Sequence, residues 1–600
     1  MKTHMHLVSV ILSVLPFTTA TPIQVDPRDI SRVASVAPRG LPDAPNGYAP
    51  RNVTCPADRP KIRGASTLSP SEESWLQIRQ VKTLFALKEF FGHVSIPDFD
   101  AQGYLRQFSG DPKGQPTIGI ALSGGGDRAL LQGAGVIKAL DSRTENSTVN
   151  GQLGGLLQAA TYVSGLSGGS WLVGSIFMNN FSTISDLQSQ HDVWNLNTFM
   201  IQGLFDTRIR SALDNLESIE QDVIGKKNAG FTTTFADLWG RYIAHQMVEA
   251  PKGGVDYTWS SIGSTSEFEN ANMPMPLVVA NGLNSGETVA GASAPIFEYN
   301  PWEFGTFDTS IYGFAPLEFL GSRFVSGSAS RTSSLPFSMP NMRGLFNSTI
   351  FAPFSKALTT INTTQNLRAA YDPNPFYHYN QASSSFAQQK ELSLVDAGED
   401  DQNLPLWPLI QREREVDIIF ASDSGSYAAT HGWPNGESLV STYERTIAHF
   451  DNSTSFPSIP DDNTFVNLGL NSRPTFFGCD SSNLTEPSPL VVYLPNAPIT
   501  TMSNYSDSKS SYNAAERNSS LDSDWTTCVG CAVLSRSFDK TKAMVPSTCT
   551  QCFQRYCWNG TIDSRVPSAY NPTLALPGGS TATSNSGTAS SIVGPLSSAI

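Results

Sequence analysis

The chain has 600 residues, 39% of them hydrophobic and 10% aromatic, with tryptophans spread from Trp75 to Trp558, which excludes a broadly disordered chain. A formal charge of -14 with no concentrated basic stripe argues against nucleic acid as a partner and against electrostatic adhesion to anionic membranes. The length could hold about four domains at roughly 150 residues each, but the even spread of aromatics reads as one extended globular body.

At the N-terminus Lys2 precedes an apolar run from Leu7 to Phe17, followed by small residues at Thr18 and Ala20. The run is shorter than the roughly 20 apolar residues a bilayer span needs, so residues 1–20 read as a cleaved secretory signal and the chain as an extracellular protein. Residues 21–54 are rich in Pro, Arg and Gly and read as a loose arm or a propeptide. From Ser71 the spacing becomes helical, with Trp75, Ile78, Val81, Leu84, Phe85 and Leu87 expected as one core-facing stripe.

Two strand, glycine turn, helix units follow. TIGIALS ends in Gly124, Gly125 and Gly126 and leads into the helical pattern RALLQGAGVIKAL; ATYVSGL leads through Ser167, Gly168 and Gly169 into SWLVGSIFM. Units of this kind in series indicate an α/β domain with parallel strands. The uncharged stretch from Gly151 to Met178 suits a buried strand and elbow better than a membrane helix, because its glycines and amides would break a helix in lipid. Further β-like runs at PLVVAN, VDIIFAS and LVVYL can extend the same sheet. Between about 285 and 390 the sequence is rich in Gly, Ser, Phe and Pro and is expected to form a cap or the walls of a cleft, with ordinary core packing the equal alternative for any one of its aromatics.

The seven cysteines are Cys55, Cys479, Cys528, Cys531, Cys549, Cys552 and Cys557. Cys528, Cys531, Cys549 and Cys552 fit a zinc spacing, yet an exported chain meets an oxidising compartment, so disulfides are favoured over metal. Spacing leaves the pairing open, including Cys55 with Cys479. Glycosylation sequons stand at Asn52, Asn146, Asn180, Asn347, Asn362, Asn452, Asn483, Asn504, Asn518 and Asn559, and each marks an expected surface position. Residues 577–600 are a Gly, Ser, Thr and Ala tail expected to act as a stalk, with cell-wall association or a lipid anchor as the weaker reading.

The chemistry centres on GLSGGS. GxSxG places Ser167 at a sharp turn between an apolar strand and an apolar helix, where flanking glycines leave room for a strained backbone and an incoming ester. Attack on an ester creates an oxyanion, and SGGGDR supplies N–H groups from Gly125 and Gly126 at a helix start, with Arg128 as a fixed cation. A nucleotide phosphate loop is the competing reading, but neither GxGxxG nor GxxxxGK[ST] is met.

Four ordered motifs, SGGGDRA, GLSGGSW, VDAGEDDQNLPLWPLIQ and VDIIFASDSG, resemble the fungal phospholipase B enzymes, which are similar to the catalytic domain of the cytosolic phospholipase group. The resemblance covers roughly Cys55 to Trp558, within a catalytic domain placed at 55–560 with cap insertions. It implies an α/β fold with a mixed central sheet, flanking helices and a cap region, a patatin-like or cytosolic-phospholipase-like Ser-Asp hydrolase. It implies Ser167 as nucleophile, Asp396 as the aspartate of the dyad, Gly125 and Gly126 as oxyanion glycines, and Arg128 on the substrate phosphate. It also implies phospholipid and lysophospholipid substrates, met by transient contact with lipid aggregates, and no cofactor; no calcium-loop pattern occurs in the sequence.

Two positions depart from the family pattern: Asp127 stands where an aromatic is frequent, and Ala397 where Gly is more usual. An acid beside Arg128 is expected to weaken its grip on a phosphate. The rival mechanism is a Ser-His-Asp triad using His431 or His449, which follow Asp396 in chain order. Rival functions are a general secreted carboxylesterase with such a triad, a non-catalytic cell-wall glycoprotein and a zinc-binding module.

Overall fold

A computed structural model describes residues 47–52, 56–189, 193–194, 210–325, 327–329, 333–334, 368–380, 384–448, 454–483, 487–499, 502–504 and 523–574. The first elements are β1 (Arg63–Gly64), α1 (Pro70–His93), β2 (Ile118–Leu122), α2 (Gly126–Leu140), β3 (Tyr162–Gly165) and α3 (Gly168–Met178). Then come α4 (Arg210–Asn228), α5 (Phe235–Met247), β4 (Met275–Leu283), β5 (Ile296–Tyr299), β6 (Glu303–Thr306), β7 (Gly313–Pro316), β8 (Ala369–Tyr371) and β9 (Leu392–Asp396). The last are β10 (Ile418–Asp423), α6 (Glu437–Ala448), β11 (Thr475–Phe477), β12 (Leu490–Pro495), α7 (Ser523–Thr541) and α8 (Ser547–Tyr556).

These strands form one 12-stranded sheet in the order β11-β12-β10-β2-β3-β4-β5-β6-β7-β1, with β9 also paired to β4 and β8 to β9. Strands β12, β10, β2, β3 and β4 run parallel, and the remaining pairings are antiparallel. The mixed sheet with flanking helices expected from the sequence is therefore present. Every residue of β2, β3, β4, β9 and β10 is buried, as expected of strands covered on both faces.

One open alternative is answered for the described residues, and one expectation needs correction. The described part of the 285–390 stretch supplies β5, β6, β7 and β8, and there the aromatics take the core-packing alternative; Phe297 stacks on Phe304 at 5.2 Å and Phe304 on Tyr371 at 5.7 Å. On α1, Ile78, Val81 and Phe85 face solvent at 46%, 70% and 54% exposure, while Trp75, Leu84 and Leu87 are buried. The buried face instead carries Glu72, Arg79 and Thr83 with Phe90. These polar groups are satisfied: the Arg79 guanidinium donates to the carbonyls of Ala160, Gln158 and Ala271, just before β3 and β4 begin. Counting apolar residues alone thus misplaced half of the stripe, Ile78, Val81 and Phe85.

Charged side chains also cross the core. Arg414 donates to Glu72 at 3.0 Å and to Glu298 at 2.7 Å, and Tyr162 donates to Glu72 at 2.9 Å, all of them buried. This network ties α1, β3 and β5 to the segment before β10.

Among the described residues three disulfides pair Cys479 with Cys557, Cys528 with Cys552, and Cys531 with Cys549. The zinc-like spacing arises because cysteines three apart share one face of a helix, and the two faces of α7 and α8 are stapled to each other. Cys479 is thereby taken, so it does not pair with Cys55, which lies outside the described residues. Among the described residues no group of three or more His, Cys, Asp or Glu side chains is placed to hold a metal, and no helix is long and apolar enough to cross a membrane. Of the sequons, Asn146 and Asn559 are exposed, and Asn180 and Asn504 are partly so. Asn347, Asn362, Asn452 and Asn518 lie outside the described residues, as do residues 1–46 and the tail from 575; the side chains of Asn52 and Asn483 are likewise undescribed.

Candidate active site

The site lies where β3 and β9 end. On β4, Val278 pairs with Gly165 of β3 and with Tyr299 of β5, while Ala280 pairs with Asp396 of β9 and with Phe297 of β5. Since β5 occupies one edge, β3 and β9 share the other. They run in opposite directions and finish two residues apart on β4, a separation of about 7 Å along the strand. The turn carrying Ser167 and the carboxylate of Asp396 are thus delivered to the same place from opposite ends. A sequence separation of 229 residues hides this meeting, and only the shared edge of β4 creates it.

Ser167 sits at φ 49° and ψ -118°, a sparsely populated conformation for a residue with a side chain, and caps α3. The glycines around it are sterically required. A methyl group on Gly168 would stand 2.1 Å from the carbonyl oxygen of Gly126, and one on Gly169 2.2 Å from that of Leu122. The two glycine turns are therefore in backbone contact, which brings the starts of α2 and α3 together with both positive dipole ends at Ser167. A methyl on Gly124 would meet the Cβ of Ser167 at 3.0 Å.

Gly125 has φ 131° and Gly126 φ 61°, so both favour glycine. Among the described residues the N–H groups of Gly125, Gly126 and Gly168 donate to no protein acceptor, which leaves three donors at the paired helix starts. The N–H of Gly168 was not singled out in the sequence, although it directly follows the serine.

Arg128 is buried at 3% exposure, with its Nη2 2.7 Å from where a Gly125 methyl would be. Its guanidinium donates to the Ser424 carbonyl from Nε at 3.1 Å and Nη2 at 2.6 Å. Ser424 is held in turn, its N–H donating to Ser123 Oγ at 2.6 Å and its hydroxyl to Gln132 at 2.6 Å. The cation is thus fixed beside the glycine turn by the end of β10.

Asp127 directly precedes Arg128 in the chain. It is buried, its Oδ1 has no hydrogen-bond partner, and burial pushes its pKa well above the ordinary carboxylate range. Burial thus favours the neutral form of Asp127, which lessens the weakening of Arg128 expected from an acid at this position.

Asp396 is 5% exposed and accepts the N–H of Gly398 at 3.0 Å. The loop after it is stitched to the glycine turn: the Asn403 carbonyl accepts the Gly124 N–H at 3.0 Å, and Asn403 Nδ2 donates to the Gly124 carbonyl at 3.0 Å. Asn403 lies inside the quoted VDAGEDDQNLPLWPLIQ motif, but nothing in the sequence distinguished it from its neighbours. Ala397 fits without strain, buried at the start of a short 3₁₀ turn with its carbonyl accepting from Asn281 at 3.1 Å. His431 is exposed and at φ 53°, on the loop between β10 and α6, and His449 lies outside the described residues.

A serine on a strained turn, a buried carboxylate delivered to it, undonated N–H groups and a fixed cation can together support acyl transfer from an ester next to a phosphate.

Residues 118–563 match the lysophospholipase catalytic domain family. The chain is 51% identical over 577 residues to a lysophospholipase of Penicillium chrysogenum, covering 90% of this chain and 94% of that one. It is 50% identical over 577 residues to lysophospholipase 1 of Aspergillus fumigatus, covering 90% and 91%, and 39% identical over 570 residues to lysophospholipase 1 of Saccharomyces cerevisiae, covering 87% and 85%. Among solved structures, human GIVD cytosolic phospholipase A2 is similar with a TM-score of 0.57 at 16% identity, over 84% of this chain and 71% of that one, a likeness of fold.

Proposed function

Proceeding from a chain that belongs to the lysophospholipase family, we propose that it is a secreted, glycosylated enzyme that releases fatty acid from lysophospholipids and also from diacyl phospholipids through an acyl-serine on Ser167. The observation that carries this reading is the meeting of β3 and β9 on one edge of β4, which sets the Asp396 carboxylate against the strained Ser167 turn. In this mechanism Asp396 takes the proton of Ser167 as Oγ attacks the acyl carbonyl. The N–H groups of Gly125 and Gly126 receive the oxyanion, and Asp396 returns the proton to the glycerol oxygen as it leaves. Water, activated by the same carboxylate, then hydrolyses the acyl-serine. Arg128 attracts the substrate phosphate to the glycine turn. The exposed position of His431 supports a dyad over a triad through that residue, and the disulfides are compatible with export.

Product analysis with defined lysophosphatidylcholine and diacylphosphatidylcholine tests the reading. Free fatty acid from both substrates with the native chain, and from neither with a folded Ser167→Ala variant, is the expected result. Fatty acid released by Ser167→Ala at the native rate would refute the assignment, and release from the lysophospholipid alone would remove the diacyl activity.

A further inference from the structure

Directly after Asp396 the chain makes a 3₁₀ turn, Ala397–Asp400, and its last residue carries a buried carboxylate that the mechanism above does not use. Asp400 Oδ1 accepts the Gln402 N–H at 3.1 Å and Oδ2 accepts Gln402 Nε2 at 2.7 Å, so this carboxylate shapes the bend between Asp396 and Asn403. Arg445 of α6 approaches from outside, its Nη1 3.8 Å from Asp400 Oδ2.

Arg445 is itself held firmly. It pairs with Asp308 at 2.8 Å, donates to the carbonyls of Ala292 and Ala294 at 2.9 Å each, and lies 4.5 Å over the Trp407 ring. The Glu399 carboxylate accepts the Ala290 N–H at 2.9 Å, so the same 290–294 segment holds both the turn, through Glu399, and Arg445, through Ala292 and Ala294. The loop is therefore clamped between Asn403 on the glycine turn and Arg445 on the outer side.

We propose that Asp400 is a positioning residue for the reaction: its ionised carboxylate, drawn by Arg445, sets the bend that keeps Asp396 facing Ser167. This inference rests on Asp396 being the base. The charged and titratable groups around Asp400 are Arg445 from α6, Asp308 from the turn after β6, and Asp396, Glu399 and Asp401 on its own segment; β4 contributes only the neutral Asn281.

Burial raises the Asp400 pKa from 3.8 to about 6 against the opposing pull of Arg445. For a raised acid the sign is that folding stability from the group is complete below 3.8 and is lost as pH rises through about 6. The ionised form useful for turnover is thus the form that weakens the fold. Protonation below that range, or replacement by Asn, releases Arg445 to Asp308 alone. Gln402 Oε1 is buried without a partner, so a simple amide flip lets it accept from an acid or amide at position 400.

The test measures kcat and KM of the full-length enzyme, native and Asp400→Asn, from pH 5 to pH 8, together with thermal melting. Loss of loop position is expected to lower kcat about 10- to 100-fold at pH 8 with KM little changed. The native-to-variant ratio should shrink towards one at pH 5, and the melting temperature at pH 8 should not fall. Asp400→Glu, which restores the charge, should recover part of the pH dependence. A ratio constant across the range, or a melting temperature that falls in step with activity, would overturn the proposal. Asp396→Asn measured alongside separates the two readings: full activity there refutes the base, whereas an inactive Asp396→Asn with a flat Asp400 ratio refutes only the positioning role.

Discussion

Gly168→Ala and Gly135→Ala are the same chemical change in two helices, and the structure assigns them opposite consequences. At Gly168 the added methyl would lie 2.1 Å from the Gly126 carbonyl oxygen, 2.9 Å from its carbon and 3.0 Å from its nitrogen. Ordinary carbon-oxygen contact needs roughly 3.3 Å or more, so one glycine turn must retreat from the other by about 1 Å. Overpacking of this kind costs about 1–3 kcal/mol, and moving the proposed oxyanion donors by that distance is expected to lower kcat about 100-fold. At Gly135 on α2 nothing stands within 4 Å, so alanine there should stabilise the helix by about 1 kcal/mol and leave turnover unchanged. Steady-state kinetics on a lysophospholipid with thermal melts of both variants provides the comparison. If Gly168→Ala retains native turnover and melts with Gly135→Ala, the two glycine turns are not in the contact on which the site geometry depends.

Arg414→Met strands two buried carboxylates, Glu72 and Glu298, and should cost about 3–5 kcal/mol in urea unfolding; a loss below about 1 kcal/mol would show the network to be dispensable. Replacing Cys531 and Cys549 together by Ala opens an 18-residue separation and should cost about 3 kcal/mol, with EDTA leaving the native melt unchanged; a melt lowered by EDTA would instead support zinc. Asp127→Asn should leave neutral-pH turnover unchanged, because burial already favours the neutral acid. Its raised pKa means stability is lost as pH rises through that value, so the variant should resist alkaline conditions better than the native chain; equal alkaline melting curves would contradict this.

Much of the candidate site was legible because its glycines and serine are local. A strained turn after a strand must be flanked by residues without side chains, so GLSGGS and SGGGDR announced themselves, and both strand, turn, helix units formed where their apolar runs placed them. What joins those units to Asp396 is an antiparallel strand entering from far along the chain, and β9 pairs with β4 through a register that periodicity cannot express. Arg445 and Asp400 were invisible for a related reason, since their meaning depends on burial and on partners contributed by three other segments. The α1 stripe was right for Trp75, Leu84 and Leu87 and wrong for Ile78, Val81 and Phe85, because buried Arg79 and Glu72 are satisfied by backbone carbonyls and by Arg414, which lets part of a polar face point inward. The zinc-like cysteine spacing misleads because helical faces and metal loops share the same three-residue step.

The central claim, a Ser167 nucleophile activated by Asp396, is tested most directly by the rate of covalent labelling with a lipid-like fluorophosphonate, read by peptide mass spectrometry. The native chain and the His431→Asn and His449→Asn variants should label at Ser167 at similar rates, Asp396→Asn far more slowly and Ser167→Ala not at all. Rapid labelling of Asp396→Asn, or an adduct on any residue other than Ser167, would contradict the account.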